Sequence, residues 1–357
     1  MNMKTSGRIP GFLALCVLLV LAPLGGDYLL GIVSEILIFA IFAMSLNLIV
    51  GYTGLLSFGH AAFFGVATYV VIGLGVHLGI SGWLGAIAGV LASTALAAFI
   101  GMFCIRVKGI PFLMLTMAFS QLLFATALKW RSVTGGTDGL IGFMPPDFFG
   151  WNMGSDAIAR YIVIVIGFLS VLIFLWYLVR SPLGSIFIGI RDNEQRMRAI
   201  GYPVQRFKLI AFTIAGCLAG IGGSLYALFN SYVSSDILHW HLSGDAMIMV
   251  ILGGSGTVFG PAFGAALFLL LKNFISSYNE YWAFWVGVIF IFCVMFLREG
   301  VWGLVMKHFG RLFSNKDNSQ SRNRSHSESK RQSHSHSHSH SESEKRVVAG
   351  AATGEQL

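Results

Sequence analysis

The sequence predicts an all-α fold: a polytopic helical membrane protein with about ten membrane passes. Of its 357 residues, 55% are hydrophobic and only 11% carry a formal charge, and the mean hydropathy is +0.73. Soluble chains have about a quarter of their residues charged. The apolar residues also form uninterrupted stretches close to the roughly 20 residues that cross a bilayer as a helix. These observations exclude a soluble globular protein.

The apolar runs give the order of the predicted passes. They fall at 9–26, 28–50, 61–80, 83–105, 110–128, 159–179, 209–229, 258–275 and 282–297. The first run follows Lys4 and Arg8, as in a cleaved signal peptide, but no A-x-A-like site follows it and the second run begins almost at once. We therefore expect the first run to be retained as a helix.

The basic residues set the predicted orientation. The net charge is +8, and positive side chains between the runs concentrate in segment 180–208 and in the turn that contains Arg106 and Lys108. Positive loops stay in the cytoplasm, so this basicity indicates orientation and not nucleic-acid binding. Keeping the C-terminal tail in the cytoplasm requires one further pass, and the Gly-rich stretch 245–256 supplies it as a short or re-entrant element. Both termini are then cytoplasmic.

Two Gly-rich turns have the features of a substrate path. GYTGLLSFGHA follows the run 28–50, and GGSGTVFGPA follows the stretch 245–252, with G-x-[TS]-G and F-G-[HP]-A in common. This likeness predicts a parallel internal repeat. Short, Gly-interrupted elements line substrate paths in transporters because their free backbone groups meet polar ligands. The residues predicted to line a translocation path are Gly51, Tyr52, Thr53, Gly54, His60, Gly253, Gly254, Ser255, Gly256 and Glu35.

The ionisable side chains expected within the apolar elements are Glu35 and, at an outer end, Asp245. A carboxylate within a span usually faces a pore or a partner helix. For Glu35 both interpretations stay open: it lines the path, or it makes an interhelical hydrogen bond.

The outward loop 129–158 is the longest predicted extracytoplasmic segment. It carries Thr137, Asp138 and Gly139, with aromatic residues after them. Two interpretations stay open here. These three residues dock an extracytoplasmic partner, or the loop lies on the lipid headgroups as an aromatic belt.

The cytoplasmic loop 180–208 contains a short polar helix. In RDNEQRMRAIG, Asp192 or Asn193 is suited to an N-cap and Gly201 to a left-handed terminator. So short a helix has little stability alone, so its apolar side chains need a surface, either the bundle itself or a groove on a second protein. The residues predicted to meet such a partner are Arg191, Asp192, Glu194, Met197, Arg198, Ala199, Ile200 and Gly201.

The sequence carries no convincing enzyme motif. It lacks G-x-x-x-x-G-K-[ST], H-E-x-x-H and G-x-S-x-G. We therefore predict a non-catalytic chain with no cofactor of its own.

Four separated segments resemble a known family. They are SLNLIVGYTGLLSFGHAAFFG, TGGTDGL, SPLGSIFIGIRDNEQRMRAIGYPVQRFKLIAFTIAGCLAGIGGSLYA and ILGGSGTVFGPAFGA. In this order they resemble the permease subunits of bacterial branched-chain amino-acid ABC importers, and most closely the M-type (LivM-like) of the two paralogous permeases. The resemblance covers residues 28–305.

The resemblance implies a permease domain over residues 1–310 in the bacterial inner membrane. It implies assembly with a second paralogous permease, two cytoplasmic ATPase subunits that bind the ATP, and a periplasmic binding protein. It also implies that Arg191–Gly201 meets the ATPase and that the cargo is Leu, Ile or Val. Urea or short amides as cargo, and a stand-alone secondary transporter with Glu35 as the coupling acid, stay open as alternatives.

Residues 311–357 depart from the family. This Ser/His-rich, low-complexity stretch cannot bury a core, so we predict a disordered cytoplasmic tail. The tail contains alternating histidines that are weak candidates for loose Ni²⁺ or Zn²⁺ binding, and we expect no metal site: His334, His336, His338 and His340.

Overall fold

The computed structural model describes residues 26–148, 151–154, 156–278 and 281–296, all within one compact unit. The predicted first pass, apart from Gly26, and the Ser/His-rich tail lie outside the described residues.

The described chain is almost entirely helical. The helices are α1 (Gly26–Asn47), α2 (His60–Leu78), α3 (Gly82–Cys104), α4 (Ile110–Lys129), α5 (Arg131–Thr134), α6 (Ala157–Arg180), α7 (Pro182–Asp192), α8 (Glu194–Ala199), α9 (Val204–Asn230), α10 (Trp240–Gly253), α11 (Gly260–Ser276) and α12 (Trp282–Phe296). α1 continues into a π-helical turn, Leu48–Tyr52, and a 3₁₀ turn, Ser235–Leu238, precedes α10. Two antiparallel two-residue strands, β1 (Asp147–Phe148) and β2 (Trp151–Asn152), lie between α5 and α6.

In the described part of the chain, 6 helices are long and apolar enough to cross a membrane, namely α1 with its π-helical turn, α2, α3, α4, α6 and α9. α10 and α11 are shorter, at 14 and 17 residues. Every predicted run from residue 28 onward therefore contains a helix, and the short element at 245–256 is the end of α10 with the turn after it. The polytopic helical membrane fold is confirmed.

α1 lies at the centre of the bundle, where it packs against α6, α9 and α11. It is the most buried of the long helices, whereas α4 is mostly exposed. Its apolar residues surround the whole helix, as expected for a helix enclosed by others.

Small residues allow α3 and α9 to approach closely. Gly216 packs against Ala97 and Gly220 against Ser93. The Ser93 hydroxyl donates a hydrogen bond of 2.8 Å to the Gly216 carbonyl. In lipid no hydrophobic force drives helices together, so this close backbone approach and its hydrogen bond stabilise the pair.

We expect Gly220→Val to separate α3 from α9. A Cβ at Gly220 would lie 2.7 Å from the Cβ of Ser93, and such overpacking costs about 1–3 kcal/mol. The measurement is the melting temperature of the detergent-purified protein. Gly31→Val is the matched control, because a Cβ at Gly31 meets no atom within 4 Å. Equal melting temperatures for the two variants would contradict this account of the helix pair.

Candidate functional site

The two Gly-rich turns meet at one end of the bundle. The first Gly-rich turn (residues 51–59) links α1 to α2, and the second Gly-rich turn (residues 254–259) links α10 to α11. Gly51 lies so close to Gly256 that a Cβ at Gly51 would collide with the Gly256 nitrogen. Two segments that the sequence predicted separately therefore form one junction.

Asn47, at the end of α1, bonds to the second turn through both ends of its amide. Its Nδ2 donates to the Thr257 carbonyl over 2.8 Å, and its Oδ1 accepts from the Gly256 N–H over 2.9 Å. The side chain is buried. These two hydrogen bonds join α1 to the turn between α10 and α11.

The backbone of the junction depends on glycine and on a π-helical turn. Gly54 and Gly256 have φ values of 73° and 78°, which strain residues with a Cβ. The π-helical turn Leu48–Tyr52 was not predicted, and such turns are frequent at functional sites. The Thr53 hydroxyl donates to the Ile49 carbonyl within this turn over 2.5 Å.

The predicted path residues of the two turns differ in exposure. Gly256 is half-buried, Gly54 and Ser255 are exposed, and the buried members are Gly51, Tyr52, Thr53, Gly253 and Gly254. In this conformation the junction is packed around Asn47, with Gly54 and Ser255 at its surface. That these residues line a translocation path stays a prediction.

His60 lies at the start of α2, away from the junction surface. Its side chain is fully buried, its Nε2 lies 2.8 Å from the Ser45 hydroxyl, and its ring stacks on Phe42 at 5.5 Å. Its Nδ1 has no hydrogen-bond partner among the described residues. In this conformation His60 links α2 to α1 through its contacts with Ser45 and Phe42.

A lysine that the sequence reading omitted accompanies the two interior acids. Lys272, in α11, lies within electrostatic reach of both Glu35 in α1 and Asp245 in α10. The expectation that Glu35 and Asp245 were the ionisable groups of the apolar elements was therefore wrong. Lys272 was missed from the sequence alone because it lies near the end of a strongly apolar run. Packing of α11 against α1 and α10 places it beside the acids.

The predicted cytoplasmic segment folds as two consecutive helices, α7 and α8. The Asn193 side chain caps α8 by accepting from the Arg196 N–H over 2.9 Å, and Gly201 follows it with a φ of 96°. The sequence predicted Gly201 as the terminator and either Asp192 or Asn193 as the N-cap, but not the 11-residue α7 before them. Met197 packs on α7: its sulfur would lie 2.8 Å from a Cβ at Gly189.

Ala199, in α8, and Ile200, the residue after it, are exposed to solvent. Ile200 is 65% exposed. The apolar side chains of this segment therefore divide, with Met197 against α7 and Ile200 exposed to solvent. Asp192 pairs at 3.4 Å with Arg191, whose guanidinium also reaches the Gly51 carbonyl at the junction.

Glu194 holds α8 to the bundle. Its carboxylate lies 2.9 Å from the buried Lys208 of α9, 3.0 Å from Lys108 in the turn after α3, and 2.6 Å from Arg198. Burial alone would raise the pKa of Glu194, but the hydrogen bonds and charges of the two lysines outweigh it and hold that pKa at about 2. The carboxylate is therefore ionised throughout the physiological pH range.

Thr137, Asp138 and Gly139, the residues predicted to dock an extracytoplasmic partner, form a tight turn. Thr137 and Asp138 are exposed, and Gly139 has a φ of 73°. The next residue, Leu140, pairs with Val233 through backbone hydrogen bonds of 2.9 and 3.2 Å, which fix the loop to the chain after α9. The structure thus displays the two polar side chains on a fixed base, and partner docking at this turn stays a prediction.

Among the described residues, no group of three or more His, Cys, Asp and Glu side chains is placed to hold a metal ion. The weak candidates of the tail, His334, His336, His338 and His340, lie outside the described residues.

A family model described as "Branched-chain amino acid transport system / permease component" matches residues 28–297, more than half of the chain. The chain belongs to this family. The permease is therefore a membrane transport component, as the four motifs indicated.

Two relatives confirm the resemblance to the M-type. The high-affinity branched-chain amino acid transport system permease protein LivM of Salmonella typhimurium strain LT2 is 26% identical over 292 residues, which cover 76% of this permease and 69% of the relative. The protein of the same name from Escherichia coli K12 is 26% identical over 288 residues, with coverages of 74% and 68%. The autoinducer 2 import system permease protein LsrC of Escherichia coli K12 / DH10B is 25% identical over 118 residues, with coverages of 32% and 33%. No solved structure matches the permease.

We expect Glu194→Gln to destabilise the permease by up to about 3 kcal/mol, because it leaves Lys208 buried without its counter-ion. Arg198→Gln is the matched control and should cost less than about 1 kcal/mol, because it removes an exposed partner only. The measurement is the thermal midpoint of the purified protein, and similar losses in both variants would contradict the role given to Lys208.

The same pair gives a pH dependence. The pKa of Glu194 lies near 2, below its ordinary value of 4.5, so its stabilisation is complete above about pH 4.5 and is lost as the pH falls towards 2. The thermal midpoint of Glu194→Gln should therefore approach that of the parent as the pH is lowered through this window. A constant difference would contradict the depressed pKa.

Exposure of the junction is tested with cysteines at Ser255 and Thr53, in a background without the four native cysteines. We expect Ser255→Cys to react at least about tenfold faster with a small polar thiol reagent than Thr53→Cys, because a buried side chain reacts only through local opening. The measurement is the rate at which each cysteine reacts in inside-out vesicles. Equal rates would show that the junction is open at rest.

Proposed function

We propose that the chain is the membrane permease subunit of an ATP-binding-cassette importer that moves Leu, Ile or Val inward across the bacterial inner membrane. The family match over residues 28–297 carries this proposal. The branched-chain cargo is supported by the printed names of the two LivM relatives, each of which aligns with about three quarters of the chain.

The partners follow from the same proposal. They are a second paralogous permease, two cytoplasmic ATPase subunits that bind the ATP, and a periplasmic binding protein that selects the cargo. The chain itself supplies no catalytic group. The exposed pair Ala199 and Ile200 is the part of Arg191–Gly201 that meets the ATPase, and Thr137, Asp138 and Gly139 are the outward docking turn.

In the proposed orientation the junction of the Gly-rich turns lies at the cytoplasmic end of the permease. Arg191 and Asp192, in the basic segment 180–208, lie at this end, and positively charged loops stay in the cytoplasm. Both termini are then cytoplasmic. The junction forms the inner end of the path, and Glu35, with Lys272 and Asp245, lies further along it.

The proposal is tested with the permease assembled with its partner permease, ATPase subunits and binding protein in proteoliposomes. We expect uptake of labelled leucine, isoleucine or valine that requires ATP and the loaded binding protein. Ala199→Trp should assemble normally but abolish coupled uptake, because the indole would occupy the surface that the ATPase contacts. An equally bulky Val133→Trp change, on the exposed outward helix α5, is the control and should retain uptake.

Three other outcomes would replace the proposal. Uptake of urea, short amides or autoinducer 2 in preference to the amino acids would change the cargo. Uptake by the purified chain alone, driven by an ion gradient and indifferent to ATP, would make it a secondary transporter. Normal coupling in Ala199→Trp would remove this face of α8 from the ATPase contact.

A further inference from the structure

Arg191, in segment 180–208, touches both Gly-rich turns. It lies at the end of α7, and its Nη1 donates to the Gly51 carbonyl over 2.5 Å. A Cβ at Gly54 would lie 3.1 Å from its Cγ, and a Cβ at Gly256 would lie 2.9 Å from Nη1. The side chain therefore occupies the space that the missing side chains of both turns leave open.

The carbonyl that Arg191 binds is at the end of a helix. Gly51 lies in the π-helical turn that closes α1, where the last carbonyls have no donor of their own helix. A guanidinium donor makes a charge-assisted hydrogen bond, which is shorter and about twice as strong as a neutral one. Arg191 thus satisfies a carbonyl whose position depends on the geometry of the first turn.

Asn47 joins the two sides of the junction by bonding α1 to Thr257 and Gly256. The α8 helix is fixed separately, through Glu194, to Lys108 and Lys208. Arg191 precedes Glu194 by only three residues. A displacement of α8 therefore reaches the junction over a short stretch of chain that ends at Arg191.

We propose that Arg191 is the positioning residue that couples movement of the α7–α8 segment to the junction of the two Gly-rich turns, holding the inner end of the path closed until the segment moves. The inference deepens the proposed function and rests on it. It assigns to Arg191 an inward contact with the bundle, in addition to any contact of the segment with the ATPase. A lysine cannot replace it, because an ammonium is a compact charge without the planar fork that here bonds Gly51 through Nη1 and Asp192 through Nε and Nη2.

The test uses the complete transporter in proteoliposomes with Arg191→Gln and Arg191→Lys. Both variants should assemble and hydrolyse ATP. The amount of leucine taken up per ATP should fall by about tenfold, which lies within the range of typical allosteric coupling factors. In a Ser255→Cys background, both should also abolish the change in thiol reactivity that ATP and loaded binding protein produce in the parent. Arg206→Gln, an exposed arginine at the start of α9, is the matched control and should behave as the parent.

The outcomes separate the inference from the proposed function. A parent transporter without ATP-dependent uptake would refute the function. A competent parent whose Arg191 variants keep the parental uptake per ATP and the ATP-dependent change at Ser255→Cys would overturn the inference. Failure of both variants to assemble would also overturn it, because Arg191 would then be a structural residue only.

Discussion

The double hydrogen bond of the Asn47 amide is the interaction on which the rest of the site depends. A buried amide and the free backbone groups of a Gly-rich turn each need a partner where water is scarce, and each unsatisfied group costs several kcal/mol. Asn47 and the second turn satisfy one another. They do so only because Gly51 and Gly256 carry no side chains, so α1 and the α10–α11 pair must lie side by side.

The same requirement governs the other polar groups inside the bundle. Lys208 is buried beside Glu194, and Glu35 lies within electrostatic reach of Lys272. Ser45 meets His60 between α1 and α2. In each case the polar side chain costs stability when alone and fixes the register of two elements when partnered. The interior charges and hydrogen bonds thus define which helices are neighbours, while lipid-facing apolar residues define only that they are helices.

Features that depend on local composition were predictable, and features that depend on distant contacts were not. Run lengths located the helices, and Asn193 and Gly201 marked the ends of α8. Nothing in the sequence near Asn47 indicates that it bonds to Thr257, 210 residues away. The reach of Arg191 to Gly51, 140 residues away, escaped prediction for the same reason.

The α7–α8 segment is held to the rest of the protein at two points of unequal strength. Glu194 binds two lysines from separate elements, so α8 moves together with α9 and the turn after α3. Arg191 reaches the junction through a single hydrogen bond to a carbonyl. We therefore expect a displacement of the segment to break the contact at Gly51 before it separates Glu194 from Lys208. The weaker attachment lies at the Gly-rich turns, where a change of backbone conformation costs least.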